Sequence, residues 1–107
     1  MTAKYWQKGE VLDYKASAAV KNGEVVSLGT RIGVAGEDIA VGETGHLHVV
    51  GVFEMEKATG DVTMGAALYY SATDKEITTT ASGNVPAGYA AAPAASADET
   101  VLVKLLG

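Results

Sequence analysis

The sequence predicts an all-β fold: a small barrel or sandwich of about eight to ten short strands, with two pseudo-repeated halves. Three observations predict it. Thirteen glycines and only two prolines punctuate the whole chain. Between them lie short runs rich in Val, Ile and Thr, residues that suit a pleated, half-buried surface. Turn signals recur, the strongest being Asn22-Gly23, where both residues tolerate positive φ.

Taken in order, residues 1–9 form an N-terminal arm and residues 10–107 a single β domain. The arm mixes Lys4 and Lys8 with Tyr5 and Trp6, and Gly9 ends it. Residues 10–20 read two ways. Val11, Tyr14, Ala18 and Ala19 fit a helical stripe, whereas Val11-Leu12-Asp13-Tyr14 fits a strand followed by a loop, and the strand is preferred. Residues 24–28 and 31–35 are strands around the turn Gly29-Thr30. Residues 36–45 are a polar connection around Ile39 and Val41. Residues 46–55 are the longest strand candidate. Thr59-Gly60-Asp61 turns the chain, and residues 62–65 lead into a strand at 66–70. Residues 71–75 turn, 76–80 form a short Thr-rich strand, Ser82-Gly83-Asn84 turns again, and 85–91 is a strand. Residues 92–99 are a loop of small residues, and residues 100–106 close the chain as a strand.

The two halves echo each other. Val20-Lys21-Asn22-Gly23 is matched by Val62-Thr63-Met64-Gly65, and Ile32-Gly33-Val34-Ala35 by Ala87-Gly88-Tyr89-Ala90. Glu43-Thr44 is matched by Glu99-Thr100, with extra residues in the second half around 75–84.

Composition narrows the function. A chain of 107 residues is one domain. With no cysteine there is no disulfide, thiol nucleophile or cysteine-ligated zinc, which fits synthesis in a reducing cytoplasm. The net charge of −5, with eight scattered Lys and Arg, argues against nucleic acid, whose phosphates demand a basic face. No apolar stretch is long enough for a signal peptide or a membrane span, so no membrane partner is expected.

Candidate chemistry is sparse. His46 and His48 share a strand face, and Glu54 and Glu56 share that parity if the strand runs unbroken. The spacing vaguely suggests a cupin-like metal-binding barrel. The gap to Glu54 is too long for that motif, however, and no third histidine follows. A catalytic metal needs three protein ligands and an open position, so no metal is expected. The opposite face, Leu47, Val49 and Phe53, suits the core. No serine sits in a nucleophile elbow, and no phosphate loop follows a strand. Asp38, Glu43, Asp61, Asp74, Asp98 and Glu99 sit at turns, where carboxylates cap backbone donors. Glu54-Met55-Glu56-Lys57-Ala58 resembles the modified hairpin of lipoyl and biotinyl carrier domains. The matching turn lies too far away, so Lys57 is expected as a solvent lysine near a turn. Neither enzyme activity nor a cofactor is expected. Adjacent Tyr69 and Tyr70 must face opposite ways on a strand, and Tyr70 is placed outward as an interface residue. Together with Lys4, Tyr5, Trp6 and Lys8 it makes up the expected protein-binding surface.

The order of several motifs carries a resemblance. These are Gly33-Val34-Ala35, Gly42-Glu43, Gly51-Val52-Phe53-Glu54, Lys57-Ala58-Thr59-Gly60, Gly65-Ala66-Ala67-Leu68-Tyr69-Tyr70, Thr78-Thr79-Thr80, Gly88-Tyr89-Ala90 and the last strand, Val101-x-Val103-x-Leu105-Leu106-Gly107. Together they resemble the small capsid cement, or head decoration, proteins of tailed phages and prophages, formerly a domain of unknown function. The resemblance spans residues 9–107. It implies an all-β structural protein of the virion, without catalysis. Such a protein binds the major capsid protein on the outer surface of the assembled head, as a homotrimer at local three-fold positions.

Overall fold

The computed structural model describes residues 1–106, and among them every regular element is a strand. In chain order these are β1 (Val11–Lys15), β2 (Val25–Ser27), β3 (Ile32–Ala35), β4 (Thr44–His48), β5 (Val52–Glu56), β6 (Ala67–Ser71), β7 (Glu76–Thr78), β8 (Val85–Ala90) and β9 (Thr100–Leu105). They form two antiparallel sheets in a sandwich-like arrangement, ordered β1-β4-β3-β2 and β5-β9-β8-β6-β7. In the first sheet β2, β3 and β4 follow one another in space and β1 lies back beside β4, a Greek-key order. The second sheet repeats it with β6, β8, β9 and β5 and adds β7 outside β6.

The repeat reaches individual hydrogen bonds. Val20 and Ile39 exchange both backbone bonds, at 2.9 and 2.7 Å, and Val62 and Ala94 do the same at 2.8 and 2.9 Å. Gly23 N–H donates to Ala35 O as Gly65 N–H donates to Ala90 O, both at 2.8 Å. Ala16 N–H meets Glu43 O as Lys57 N–H meets Glu99 O. Five facing residue pairs join β1 to β4, and five join β5 to β9. The three sequence echoes thus mark structurally equivalent positions.

One expected strand is two. The run at residues 46–55 ends as β4 at His48, and β5 begins in the other sheet at Val52. Gly51 between them has φ +127°, a conformation L side chains rarely adopt, which lets the chain change sheets there. Val49 and Val50 still pack on the first half's cluster.

The main core gathers Met55, Leu68, Ile77, Val101, Val103 and Leu105 from the second half with Ile32 and Val34 from the first. A smaller cluster of Val26, Leu47 and Val49, with Tyr14, Val20 and Val50 against it, sits on the other face of the first sheet. β7 has a further effect. Ile77 makes a parallel bridge to Lys57, and Ala58 N–H donates to Ile77 O at 2.8 Å, so the end of β5 meets β7 and the second sheet nearly closes on itself. At Gly88, paired between Leu68 and Leu105, φ is +147° and an added Cβ would run into the Lys104 carbonyl.

Candidate functional site

Residues 1–8 are exposed and belong to no strand. Tyr5 is 79% and Trp6 85% exposed, the chain's only tryptophan among them. This segment carries two of the eight basic residues and none of the thirteen acids, so the rest of the chain bears all of the negative charge. Two large aromatic surfaces left in water beside two cations are costly unless something covers them. Tyr and Trp are also the residues that give most contact area for least side-chain entropy.

Tyr70 lies apart from the arm residues in the sequence and is turned inward. Its ring packs against the main core, which puts neighbouring Tyr69 on the opposite face of β6. Tyr70 also lines an open groove of about 540 Å³ between the halves, with Glu24, Val25, Glu54, Glu56 and Lys75. Burial raises the pKa of its phenol above the ordinary 10.0, and the nearby Glu24 carboxylate adds to the rise.

Sequence reasoning missed one surface. On the outer face of the second sheet Val52, Lys104 and Tyr89 stand side by side across β5, β9 and β8, with Leu102 two residues along β9. Val52, Tyr89 and Leu102 are all exposed. Along the last strand Val101, Val103 and Leu105 are buried and Thr100, Leu102 and Lys104 take the other face, so alternation marks Leu102 as outward. That Val52 and Tyr89 stand near it depends on long-range strand pairing with no local signature.

The candidate chemistry resolves into structure. His46 Nδ1 lies 2.8 Å from a Glu37 carboxylate oxygen that also accepts the His46 backbone N–H at 3.2 Å. His48 packs instead against the Phe53 ring, 6.2 Å between centroids, beneath Gly36. Because the strand breaks at residues 49–51, Glu54 and Glu56 lie in the other sheet, and the parity argument for a metal site with His46 and His48 fails. No three His, Asp or Glu side chains converge among the described residues.

Lys57 also differs from expectation. It follows the end of β5 rather than capping a hairpin, and it is 8% exposed, not a solvent lysine. Its Nζ donates to Ala58 O at 3.0 Å and to Ser96 O at 3.4 Å. A carrier lysine must present its amine to a modifying enzyme, and this one is tucked beneath the 92–99 loop. That loop, with Glu56, Glu76, Asp98 and Glu99, borders a second open cavity of about 700 Å³. Three of the turn carboxylates cap backbone donors as expected. Asp38 takes Asn22 N–H at 2.8 Å, Asp61 takes Ser96 N–H at 2.7 Å and Asp98 takes Ala95 N–H at 2.8 Å.

Two surfaces expose large apolar side chains: the aromatic, basic arm and the partly apolar outer face of the second sheet. The model of one protein family, described as phage cement protein, matches residues 6–105. No curated protein and no solved structure gives a significant match. The family match begins at Trp6 and takes in all nine strands of the described residues, and the chain therefore belongs to the phage cement proteins, which have a structural, capsid-associated role in the virion.

Proposed function

We propose that this protein binds the outer surface of an assembled phage head through its major capsid protein and stabilises that head, as a homotrimer, without catalysing a reaction. The observation that carries the reading is the arm: Lys4, Tyr5, Trp6 and Lys8 stand in solvent next to a folded domain that makes no use of them. Such a segment is free in the isolated chain and orders on a partner, giving up some affinity as ordering entropy. Closed cyclic symmetry suits a small domain on a lattice, because it buries each contact patch once and leaves no open end. The groove at Tyr70 is a further contact candidate. Synthesis in the host cytoplasm, before assembly, agrees with the lack of cysteine.

Deleting residues 1–8 tests this. The truncated protein is expected to keep its fold and melting temperature while binding expanded heads at least about tenfold more weakly. If it melts far earlier and the folded remainder still binds normally, the arm belongs to the core and the anchor reading is wrong. A structure of decorated heads without three-fold clusters of this chain would remove the homotrimer.

A further inference from the structure

The two halves differ at one place, and the difference leaves a vacancy in the first. In the second half β7 lies beside β6, and its end meets the segment after β5. Ile77 at its centre is 2% exposed and fills the core there. The first half has no counterpart: β2 is paired only to β3 and β1 only to β4. The inward side chains next to that gap are correspondingly uncovered. Leu12 faces the same side of the sheet as buried Leu47, yet is 37% exposed. Leu28, two residues past the inward Val26, is 38% exposed. Their counterparts in the second half, Phe53 and Tyr70, both pack on the core.

We propose that the arm of a second copy of this chain fills that gap as an added strand beside β2, with Tyr5 in the place that Ile77 takes in the other half. This rests on the reading that the protein self-associates, and it names the seat of the contact. β-Strand addition to an exposed sheet edge is a general recognition mode: backbone bonds give affinity and alternate side chains give specificity.

Three observations select this occupant. The first is chain direction. β7 runs antiparallel to β6 and parallel to the end of β5, so its counterpart must run parallel to β1. Only Gly9 and Glu10 separate the arm from β1, whereas a parallel neighbour in the same chain needs a connection of roughly a dozen residues. The arm therefore cannot take the position in its own subunit, and no strand pairing holds it there. The second is alternation. In an extended arm Ala3, Tyr5 and Gln7 share one face and Lys4, Trp6 and Lys8 the other. Turning Tyr5 inward covers Leu12 and Leu28 without burying a lysine against them, and puts Trp6 with both cations on the face of the sheet that carries Val25. The third is reach. Nine extended residues span roughly 30 Å, enough to cross to an adjacent subunit of this size.

The absence of native cysteine makes the test clean. One population carries Tyr5→Cys and another Leu28→Cys. They are mixed under mild oxidation, both at high concentration in solution and on heads, and run without reductant. A disulfide-linked heterodimer is expected in at least one setting. It should be several-fold more abundant than when Leu28→Cys is replaced by Met64→Cys, an exposed position in the other half. A yield no higher than this control in both settings overturns the proposal. So does a chain carrying both substitutions that closes on itself as a monomer. Head binding measured in parallel separates the two readings. Heterodimer without head binding removes the capsid reading and leaves the strand exchange, and head binding without heterodimer does the reverse. In single variants, Tyr5→Ala should weaken self-association by roughly tenfold or more.

Discussion

At the scale of single residues, burial decides how two polar side chains, Lys57 and Tyr70, are held. Lys57 occupies the position that Ala16 holds in the first half, since both N–H groups meet the equivalent carbonyl of Glu99 or Glu43. A lysine there keeps its stem among apolar neighbours and satisfies its ammonium on two backbone carbonyls. Nothing in the local sequence distinguished this from a surface lysine, because the acceptor Ser96 O comes from 39 residues away. Tyr70 was placed outward for a similar reason: of two adjacent tyrosines, local sequence says that one points in, not which. The register shift between Leu68 and Tyr69 lies just before the pair. The burial of Tyr70 has a consequence for pH. The fold raises its pKa above 10.0, chiefly by desolvation and secondarily through Glu24, so the neutral phenol is favoured in the native state. The unfolded chain releases this proton first as pH passes 10. The contribution is therefore fully present below that pH and is lost as pH rises through the folded value. Denaturant midpoints followed between about pH 9 and 11 should fall less steeply for Tyr70→Phe than for the native protein, and Glu24→Gln should give an intermediate slope. Identical slopes for all three proteins would show that the ring is as well solvated when folded as when unfolded.

Among the elements, β7 is the one whose role far exceeds its three residues. The extra residues in the second half were legible as an insertion, and residues 76–80 were legible as a strand. That this strand meets the end of β5 was not, because the bridge from Lys57 to Ile77 is a long-range contact with no local signature. The strands flanked by strong turns were legible in order. β4 and β5 merged in the sequence reading because Val49, Val50, Val52 and Phe53 keep hydrophobicity continuous across the crossing, and only Gly51 marks it. Ile77 is the centre of what β7 contributes. Removing most of its side chain leaves a cavity among Leu68, Val101 and their neighbours that a closed sheet cannot collapse to fill. Ile77→Ala should cost about 2–4 kcal/mol, which for a domain of this size lowers the melting temperature by on the order of 10 °C or more. Val41→Ala, at an exposed turn, should stay within about 0.5 kcal/mol. Equal losses at the two positions, measured by chemical denaturation, would mean that β7 is a surface flap and not part of the core.

For the whole molecule the question is whether two repeated halves behave as one body. The repeat alone suggests two small units, each with its own Greek key and its own cluster. The packing says otherwise. Ile32 and Val34 lie on the side of the first sheet away from Leu47 and enter the main core with Met55, Leu68 and Val103 of the second half. The smaller cluster, three buried side chains with partly buried ones around it, is too small to support an independent fold, since ordering each residue costs about 1–2 kcal/mol. The first half is thus held by the second. Unfolding should be a single transition, and the most protected amides of β4 and β9 should exchange only through it. Val34→Ala tests the coupling, because Val34 belongs to the first half by sequence and to the main core by contact. It should lower the opening free energy at Leu47 and at Val103 by the same amount, about 1–2 kcal/mol. A loss confined to β4, with Val103 unchanged, would show that the first half opens by itself. The shared core would then have to be redrawn as two cores joined at Gly51.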